Sequence, residues 1–166
     1  MKLSNFVRAT MILALLLTAA NAFVKADLSG TWVMDKSRSE GLPEDMQQTM
    51  TVSLQGDKLS LETTLITGEQ KQSVKDSYTL NGVAEDFTPR GGGGATGKGK
   101  RTAKWSADGN GIEVSEDSKF DSPDGEISAT MKRKWQLSAD GKTLVIELHF
   151  NGPNGEVNSK RTFVKQ

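Results

Sequence analysis

Apolar and polar residues alternate in short runs along the chain from Gln48 to Lys165. A period of two is typical of a β-strand with one buried and one solvated face. Glycine combined with Asn or Asp interrupts the runs, at Gly56-Asp57, Asn81-Gly82, Asp108-Gly109-Asn110-Gly111, Asp124-Gly125, Asp140-Gly141 and Asn154-Gly155. Such turns are short, and short turns join strands that pair antiparallel. The pattern therefore predicts an all-β fold, an antiparallel up-and-down meander.

The alternation divides into about ten strands. They are predicted at Gly30–Asp35, Thr49–Gln55, Lys58–Ile66, Gln70–Leu80, Val83–Thr88, Lys100–Ala107, Ile112–Asp121, Glu126–Ser138, Thr143–Asn151 and Glu156–Lys165. A long sheet with one apolar face curls until it closes, because an open edge exposes unpaired backbone groups. We therefore expect a barrel or a β-clam, interrupted by one helical turn at residues 42–46 and by a Gly-rich loop at residues 90–99.

The Gly-rich loop comes close to a phosphate-binding motif. Gly92, Gly97 and Lys98 fit the spacing G-x-x-x-x-G-K, but Gly99 stands where the motif needs Ser or Thr. The flanking residues alternate as strands do, whereas a phosphate loop joins a strand to a helix. A hairpin loop that could form a rim or a lid fits this segment better.

The N-terminus has the composition of a secretory signal peptide, which we assign to residues 1–26. Lys2 and Arg8 precede a short apolar run at residues 9–20, and the small-residue motifs Ala20-Asn21-Ala22 and Val24-Lys25-Ala26 follow it. The run is too short to span a bilayer. We predict cleavage after Ala22 or Ala26, which leaves a single domain, residues 27–166, in a secreted or periplasmic location.

Composition narrows the classes of function. Removal of residues 1–26 leaves 18 basic against 21 acidic residues, a net charge of −3, which does not suit nucleic acid as a partner. The chain has no cysteine and a single histidine, His149, so the sequence offers no thiolate, no Cys-His dyad and no multi-histidine zinc site. We therefore expect no enzyme activity, no cofactor and no metal.

The alternation along the strands places several charged residues on the same side as the apolar residues, namely Asp76, Glu85, Arg101, Glu116, Arg133 and Arg161. Charged side chains are rarely buried unless they are paired. Four-residue turns at 108–111 and 122–125 would place Ala103 and Met131 directly opposite Glu116. In that register one arginine lies diagonal to Glu116 on each side, so Glu116 should lie between Arg101 and Arg133.

This interior cluster has two interpretations. It can be a structural set of ion pairs that fixes the strand register, unless bulges turn the residues outward. It can instead be a polar site inside a barrel, with spare positive charge for an anionic ligand. The candidate ligand-binding residues are Arg101, Glu116, Arg133, Arg161, Tyr78, Trp105 and Trp135.

The first and last strands should meet at a seam. In the inferred register Trp135, Ile146 and Arg161 form one row across three strands. If the last strand closes against the first, Arg161 lies over Trp32 as a cation–π contact. The predicted seam residues are therefore Gly30, Trp32 and Arg161.

These residues carry a resemblance to a known superfamily. Gly30-Thr31-Trp32 on the first strand and Lys160-Arg161-Thr162-Phe163 on the last resemble the calycins, which include lipocalins and fatty-acid-binding proteins. The resemblance implies an opening G-x-W with a late arginine packed over the tryptophan. Ten strands are closer to the fatty-acid-binding branch than to the eight-stranded lipocalins.

In the fatty-acid-binding branch an R-x-Y pair on the last strand binds the carboxylate of the ligand. Arg161 matches that arginine, whereas Phe163 replaces the tyrosine, and residues 36–48 are too few for the helix-turn-helix lid of that branch. The chain is also similar to secreted bacterial lipocalin-like domains of unassigned function, through Leu28-Ser29-Gly30-Thr31-Trp32 and Trp135-x-Leu137-Ser138-x-Asp140-Gly141-Lys142-Thr143-Leu144.

Two functions remain open from the sequence. The chain can be a secreted carrier that holds a small amphipathic, in one version anionic, ligand in its barrel. Alternatively it is a structural or interaction module whose barrel is filled by its own side chains and whose surface binds a protein partner. A cavity of several hundred Å³ favours the carrier, and a filled interior with fully paired arginines favours the module.

Overall fold

The structure, a computed structural model, describes residues 25–90, 96–122 and 125–166, and within those ranges it is built from β-strands and turns without a helix. Its ten strands are β1 Gly30–Glu40, β2 Met46–Gln55, β3 Lys58–Thr67, β4 Gln70–Thr79, β5 Glu85–Phe87, β6 Gly97–Trp105, β7 Gly111–Ser122, β8 Gly125–Leu137, β9 Thr143–Gly152 and β10 Gly155–Lys165. No helix of these ranges could therefore cross a membrane.

All ten strands form one antiparallel sheet in the order β4-β3-β2-β1-β10-β9-β8-β7-β6-β5. The chain meanders from each strand to the next, and β10 returns to pair with β1. The sheet curls strongly into a half-barrel, so that β4 approaches β6 at one end, where the Gly82 N–H donates to the carbonyl of Ala103 over 2.9 Å. The predicted all-β meander of about ten strands is confirmed.

Several boundaries differ from the predicted ones. β1 continues five residues further, to Glu40, while β5 keeps only three residues. Residues 42–46 form a turn closed by the Met46 N–H on the Pro43 carbonyl instead of a helical turn. Val83 and Val157, which parity places on the apolar face, are 63% and 52% exposed because they lie beyond the part of the sheet that packs on itself.

The opening glycine and tryptophan hold one end of the seam. Trp32 is fully buried, and its indole Nε1–H donates to the Leu28 carbonyl over 3.0 Å. Gly30 has a φ of +135°, and a Cβ at that position would meet the Lys165 side chain at 2.7 Å. Only glycine combines that backbone conformation with that close approach. Gly30 thus leaves room for the Lys165 side chain, which lies over Trp32.

The cation over Trp32 is Lys165 rather than Arg161, so the prediction that Arg161 stacks on Trp32 is wrong. The Lys165 ammonium lies 5.3 Å from the ring centroid, in agreement with the pairing of Trp32 opposite Lys165. The register of the two strands causes the difference, since Trp32 lies opposite Lys165 and Arg161 lies four residues away on β10. Arg161 falls at a bulge instead, because Asp35 pairs with Thr162 and Glu40 with Lys160. Four residues of β1, 36–39, therefore lie opposite a single residue of β10, Arg161.

The bulge leaves Arg161 without a facing β1 side chain. Its guanidinium reaches past β1 and donates from Nη1 to Gln48 Oε1 on β2 over 2.8 Å. The carboxylate of Asp35 accepts hydrogen bonds from the Ser37 hydroxyl and from Arg38 Nε, which fold the bulge and hold the pKa of Asp35 below its ordinary value. The backbone of the bulge thus packs on the outer surface of β10.

The apolar core fills one end of the half-barrel. Its fully buried large side chains come from the N-terminal segment and from seven strands: Leu28, Trp32, Met50, Leu59, Ile112, Trp135, Leu144 and Phe163. They lie near the β2–β3, β6–β7 and β8–β9 turns, so we call this the closed end. The strand halves toward the β3–β4, β7–β8 and β9–β10 turns contribute few buried apolar residues and form the open end.

The outer face carries a row of six charges that alternate in sign across six neighbouring strands. From β6 to β1 this outer ladder consists of Lys104, Glu113, Lys134, Glu147, Lys160 and Glu40, each opposite the next in the strand pairing. Opposite charges on facing residues stabilise a pairing, and like charges oppose it. A shift of any of these strands by one residue would remove its charge from the row, so the ladder favours the observed register.

Glu147→Lys should therefore destabilise the sheet more than an ordinary surface change. It places a lysine between Lys134 and Lys160, and two facing like-charge pairs should lower the free energy of unfolding by about 1 kcal/mol. The matched control is Glu156→Lys on the neighbouring strand, which faces the uncharged Asn151. Urea unfolding of both variants checks this, and equal losses would contradict the role of the ladder.

Candidate functional site

A cavity of about 1410 Å³ occupies the concave face at the open end. Apolar side chains from five strands line much of it: Val74, Phe87, Phe120, Ile127, Met131 and Phe150. A second set of lining residues is polar or charged: Asp76, Tyr78, Arg101, Glu116, Ser118 and Arg133. A wide apolar cavity with a few convergent polar groups is the usual form of a small-molecule site.

An ion pair between Arg133 on β8 and Glu116 on β7 forms the centre of the polar set. Arg133 Nη2 donates to Glu116 Oε1 over 2.7 Å and to the Tyr78 hydroxyl over 3.0 Å. The Glu116 side chain is only 6% exposed. The Nε–H of Arg133 is buried and has no hydrogen-bond partner among the described residues. The arginine therefore retains one buried donor without a partner in the described part of the chain.

Burial dominates the electrostatics of this cluster. It raises the pKa of Glu116 above the ordinary value, and the neighbouring Asp76 raises it further, whereas Arg133 and Arg101 lower it. Burial also raises the pKa of Tyr78 to about 12, so the phenol stays protonated at neutral pH. The site thus holds a neutral phenol, a permanent guanidinium cation and a carboxylate with an increased affinity for a proton.

Arg101 on β6 lies directly opposite Glu116 but is engaged elsewhere. Its Nε donates to Glu85 Oε1 over 2.7 Å, and its Nη2 donates to the Ser77 carbonyl on β4 over 2.6 Å. The guanidinium lies 4.7 Å from the ring centroid of Tyr78. Arg101 therefore links the two free edges of the sheet, and Glu116 is left to Arg133.

The register at this point corrects one prediction. Met131 lies opposite Glu116 as expected, but Ala103 faces Val114 rather than Glu116. The Ser106 N–H bonds to the Gly111 carbonyl, so the loop covers residues 107–110, one position earlier than the predicted turn. When a hairpin loop begins and ends one residue earlier, the residue that faces each β6 position moves by two positions along β7. The shift brings Arg101 from a diagonal to a directly facing position.

Arg161 lies on β10 one row nearer the closed end than Arg133, and it does not line the cavity. Arg161 is partly buried and makes no ion pair with any described carboxylate. Its one side-chain hydrogen bond is to the neutral Gln48, and its Nε–H has no partner among the described residues. Burial and the nearby positive charge of Arg133 both lower its pKa. The interior therefore carries a guanidinium whose charge no described side chain balances.

The two remaining candidate residues lie away from the cavity. Trp135 is buried in the closed-end core and faces Ile146, which faces Arg161, so the predicted row of three is confirmed. Trp105 lies at the edge of that core, with the Lys25 ammonium 5.3 Å from its ring centroid. Of the seven candidate residues, the structure brings Tyr78, Arg101, Glu116 and Arg133 together and leaves the two tryptophans and Arg161 outside the lining.

Two features of the site escaped prediction. Gln48, the partner of Arg161, precedes the predicted second strand, although its parity with Met50 and Val52 continues the buried face and could have included it. Phe87, Phe120 and Phe150 share the core parity, but a period of two does not distinguish a filled interior from a cavity wall.

The described residues contain no group of three His, Asp or Glu side chains that could hold a metal ion. A second concavity, of about 820 Å³, lies on the outer face along the outer ladder. About half of its lining is charged, and the charges of the outer ladder there face opposite charges on neighbouring strands. Its ladder charges are therefore balanced, whereas the inner cavity also contains Glu116 and Tyr78. The inner cavity is therefore the candidate site.

Among comparisons with known proteins, a similar solved structure supports the fold, whereas sequence comparison finds no match. No protein-family model matches the chain, and no curated protein matches it in sequence. Among solved structures, the zebrafish ileal bile acid-binding protein in complex with cholic acid is similar, with a TM-score of 0.50 and 16% identity over 83% of this chain and 98% of that chain. The chain therefore shares the ten-stranded antiparallel fold of that protein. Closeness to the bacterial lipocalin-like domains stays a prediction.

Glu116→Ala should destabilise the fold strongly, because it leaves Arg133 desolvated without its counter-charge. The expected loss is about 3–5 kcal/mol in the free energy of unfolding. Glu113→Ala is the matched control on the same strand: it removes an outer-face ion pair with Lys104 and should cost at most about 1 kcal/mol. Chemical unfolding measures both, and losses of similar size would show that the Arg133–Glu116 pair is not effectively buried.

Proposed function

We propose that the protein is a secreted carrier that binds a small amphipathic anion in the cavity at the open end. The observation that carries this proposal is the unbalanced guanidinium of Arg161 next to Arg133. An anionic group of a ligand that reaches past Arg133 would supply the missing counter-charge. The apolar wall of Val74, Phe120 and Phe150 would then cover the hydrophobic body of the ligand.

The free-energy cost of an unpaired, partly buried charge favours the ligand-binding interpretation over a purely structural one. A desolvated cation without a partner is costly, and a permanent structural cluster would be expected to balance it. Hydrogen bonds between guanidinium groups and an anion are among the stronger ones available. The Nε–H groups of Arg133 and Arg161 are buried and have no hydrogen-bond partner among the described residues. The alternative, a barrel filled by its own side chains, describes only the closed end.

The zebrafish neighbour was solved with cholic acid, and an acid with a large apolar body is the kind of ligand that this cavity suits. The polar set differs from the R-x-Y pair of the fatty-acid-binding branch. Phe163 stands in place of the tyrosine and is fully buried in the core. A phenol reaches the arginines from a different strand, since Tyr78 on β4 bonds to Arg133. We therefore propose a ligand class rather than a named ligand.

Arg161→Met tests the proposal by separating binding from stability. The variant removes an unbalanced buried charge while keeping most of the side-chain volume, so the thermal midpoint should stay constant or rise. Affinity for cholate, and for the fluorescent sulfonate anilinonaphthalene sulfonate, should fall by about tenfold to hundredfold. Arg38→Met, which removes an exposed guanidinium of the β1 bulge, is the control and should bind as the wild type does.

Failure of the wild type to bind either amphiphile would overturn the proposed function. Binding by Arg161→Met with unchanged affinity would leave a carrier but remove Arg161 from its site. The readouts are fluorescence titration with the sulfonate and its displacement by cholate, with thermal unfolding of each variant as the check on folding.

We further propose that the signal peptide is removed after Ala22 rather than after Ala26. The predicted apolar segment lies outside the described residues, but Lys25 and Ala26 lie within them and make defined contacts. The Lys25 ammonium bonds to Asp57 Oδ1 over 2.6 Å, and the Ala26 N–H donates to the Gly109 carbonyl over 2.9 Å. Cleavage after Ala26 would remove both contacts from the closed end.

Secretion of the full-length chain from a bacterial host should therefore give a mature protein that begins at Phe23. Intact-mass measurement of the exported protein checks this. A mature chain that begins at Asp27 would contradict the choice of site, and an uncleaved chain retained in the cytoplasm would contradict secretion itself.

A further inference from the structure

We propose that binding of an anionic ligand in the cavity is coupled to uptake of one proton by Glu116. In this arrangement Glu116 is the counter-ion that occupies Arg133 in the empty protein, and protonation of Glu116 releases Arg133 to the ligand. The inference rests on the proposed function and adds its regulation: the carrier should bind its anion more tightly as the pH falls.

The geometry places Glu116 in direct competition with the ligand. Its Oε1 accepts a hydrogen bond from Nη2 of Arg133, the guanidinium that borders the cavity. A ligand anion that binds Arg133 must either displace this carboxylate or lie beside it. Two negative groups on one desolvated guanidinium repel each other strongly, unless one of them takes up a proton.

Each strand near Glu116 contributes a charged or titratable group. β4 supplies Asp76 and Tyr78, β5 supplies Glu85, β6 supplies Arg101, β8 supplies Arg133 and β10 supplies Arg161. Glu85 already neutralises Arg101, and Asp76 makes no ion pair with any described residue, so its negative charge adds to that of Glu116. Arg133 is therefore the one direct counter-ion of Glu116 in the described part of the chain.

The direction of the effect follows from these neighbours. Burial and Asp76 already raise the pKa of Glu116 in the empty protein, and Arg133 holds it down. A ligand anion that takes over Arg133 removes part of that opposing effect and adds a negative charge, so the pKa in the complex is higher still. A proton is then taken up on binding at any pH between the two pKa values. Affinity is lowest above both values and highest below both.

The carboxyl-to-amide variant Glu116→Gln isolates this effect. It keeps an oxygen that can accept a hydrogen bond from Arg133 but cannot titrate, so it resembles protonated Glu116 at every pH. Glu85→Gln is the matched control, because it makes the same chemical change at the other arginine–glutamate pair on the cavity wall. The probe is anilinonaphthalene sulfonate, whose sulfonate stays ionised across the range tested.

Wild-type affinity for the sulfonate should increase as the pH falls, with a limiting slope of about tenfold per pH unit for one proton. Glu116→Gln should bind with the high affinity at every pH tested. Glu85→Gln should keep the wild-type dependence on pH. Asp76→Asn should shift the dependence to lower pH without removing it, since Asp76 only raises the pKa of Glu116.

Calorimetry of the wild type gives a second test that needs no variant. Binding enthalpies measured at a pH where the affinity is changing, in buffers of different ionisation enthalpy, should differ by the amount expected for uptake of up to about one proton. Equal enthalpies together with a flat pH profile would overturn proton coupling and leave the carrier function intact.

If the pH dependence of the wild type persists in Glu116→Gln but disappears in Asp76→Asn, Asp76 takes up the proton. That result would overturn the proposed role of Glu116. Absence of sulfonate and cholate binding at every pH would instead overturn the proposed function together with this inference. The two failures are therefore distinguishable.

Discussion

Pairing of β1 with β10 joins the two arms of the meander, β1–β4 and β5–β10, into one ten-stranded sheet. At the closed end Trp32 lies opposite Lys165, whose side chain passes Gly30 and covers the indole. The same pairing places β10 across from β2, so the side chain of Arg161 can reach Gln48 through the β1 bulge. Curling of the joined sheet then brings Tyr78 on β4 into contact with Arg133 on β8, and both side chains line the cavity.

The half-barrel divides its interior between stability and binding. The closed end contains the large fully buried side chains, and the open end contains a cavity with buried charges. Hydrophobic burial at one end offsets the cost of desolvating arginines and Glu116 at the other. The outer ladder holds the register of the strands between them. Such a division suits a carrier, since a ligand can enter or leave the open end without disturbing the core.

The sequence predicted most of the sheet, because a period of two and Gly-containing turns are local properties. It also placed Glu116 and Arg133 on one face, and a correct β7–β8 turn put Met131 opposite Glu116. The β6–β7 register was wrong because Ser106 closes the loop one residue early. The contact of Arg161 with Trp32 was wrong because no turn joins β1 to β10 and fixes their register, and the observed register places Lys165 opposite Trp32. The cavity itself could not be predicted, since parity gives the direction of a side chain and not the space in front of it.

The central claim is that two interior arginines hold free N–H donors for a ligand anion. Nuclear magnetic resonance of the arginine Nε–Hε groups tests it most directly during titration with cholate. The account predicts that the Nε–Hε signals of Arg133 and Arg161 shift together and saturate, while that of Arg38 on the outer bulge stays unchanged. Saturating binding that leaves the signals of Arg133 and Arg161 in place would contradict it.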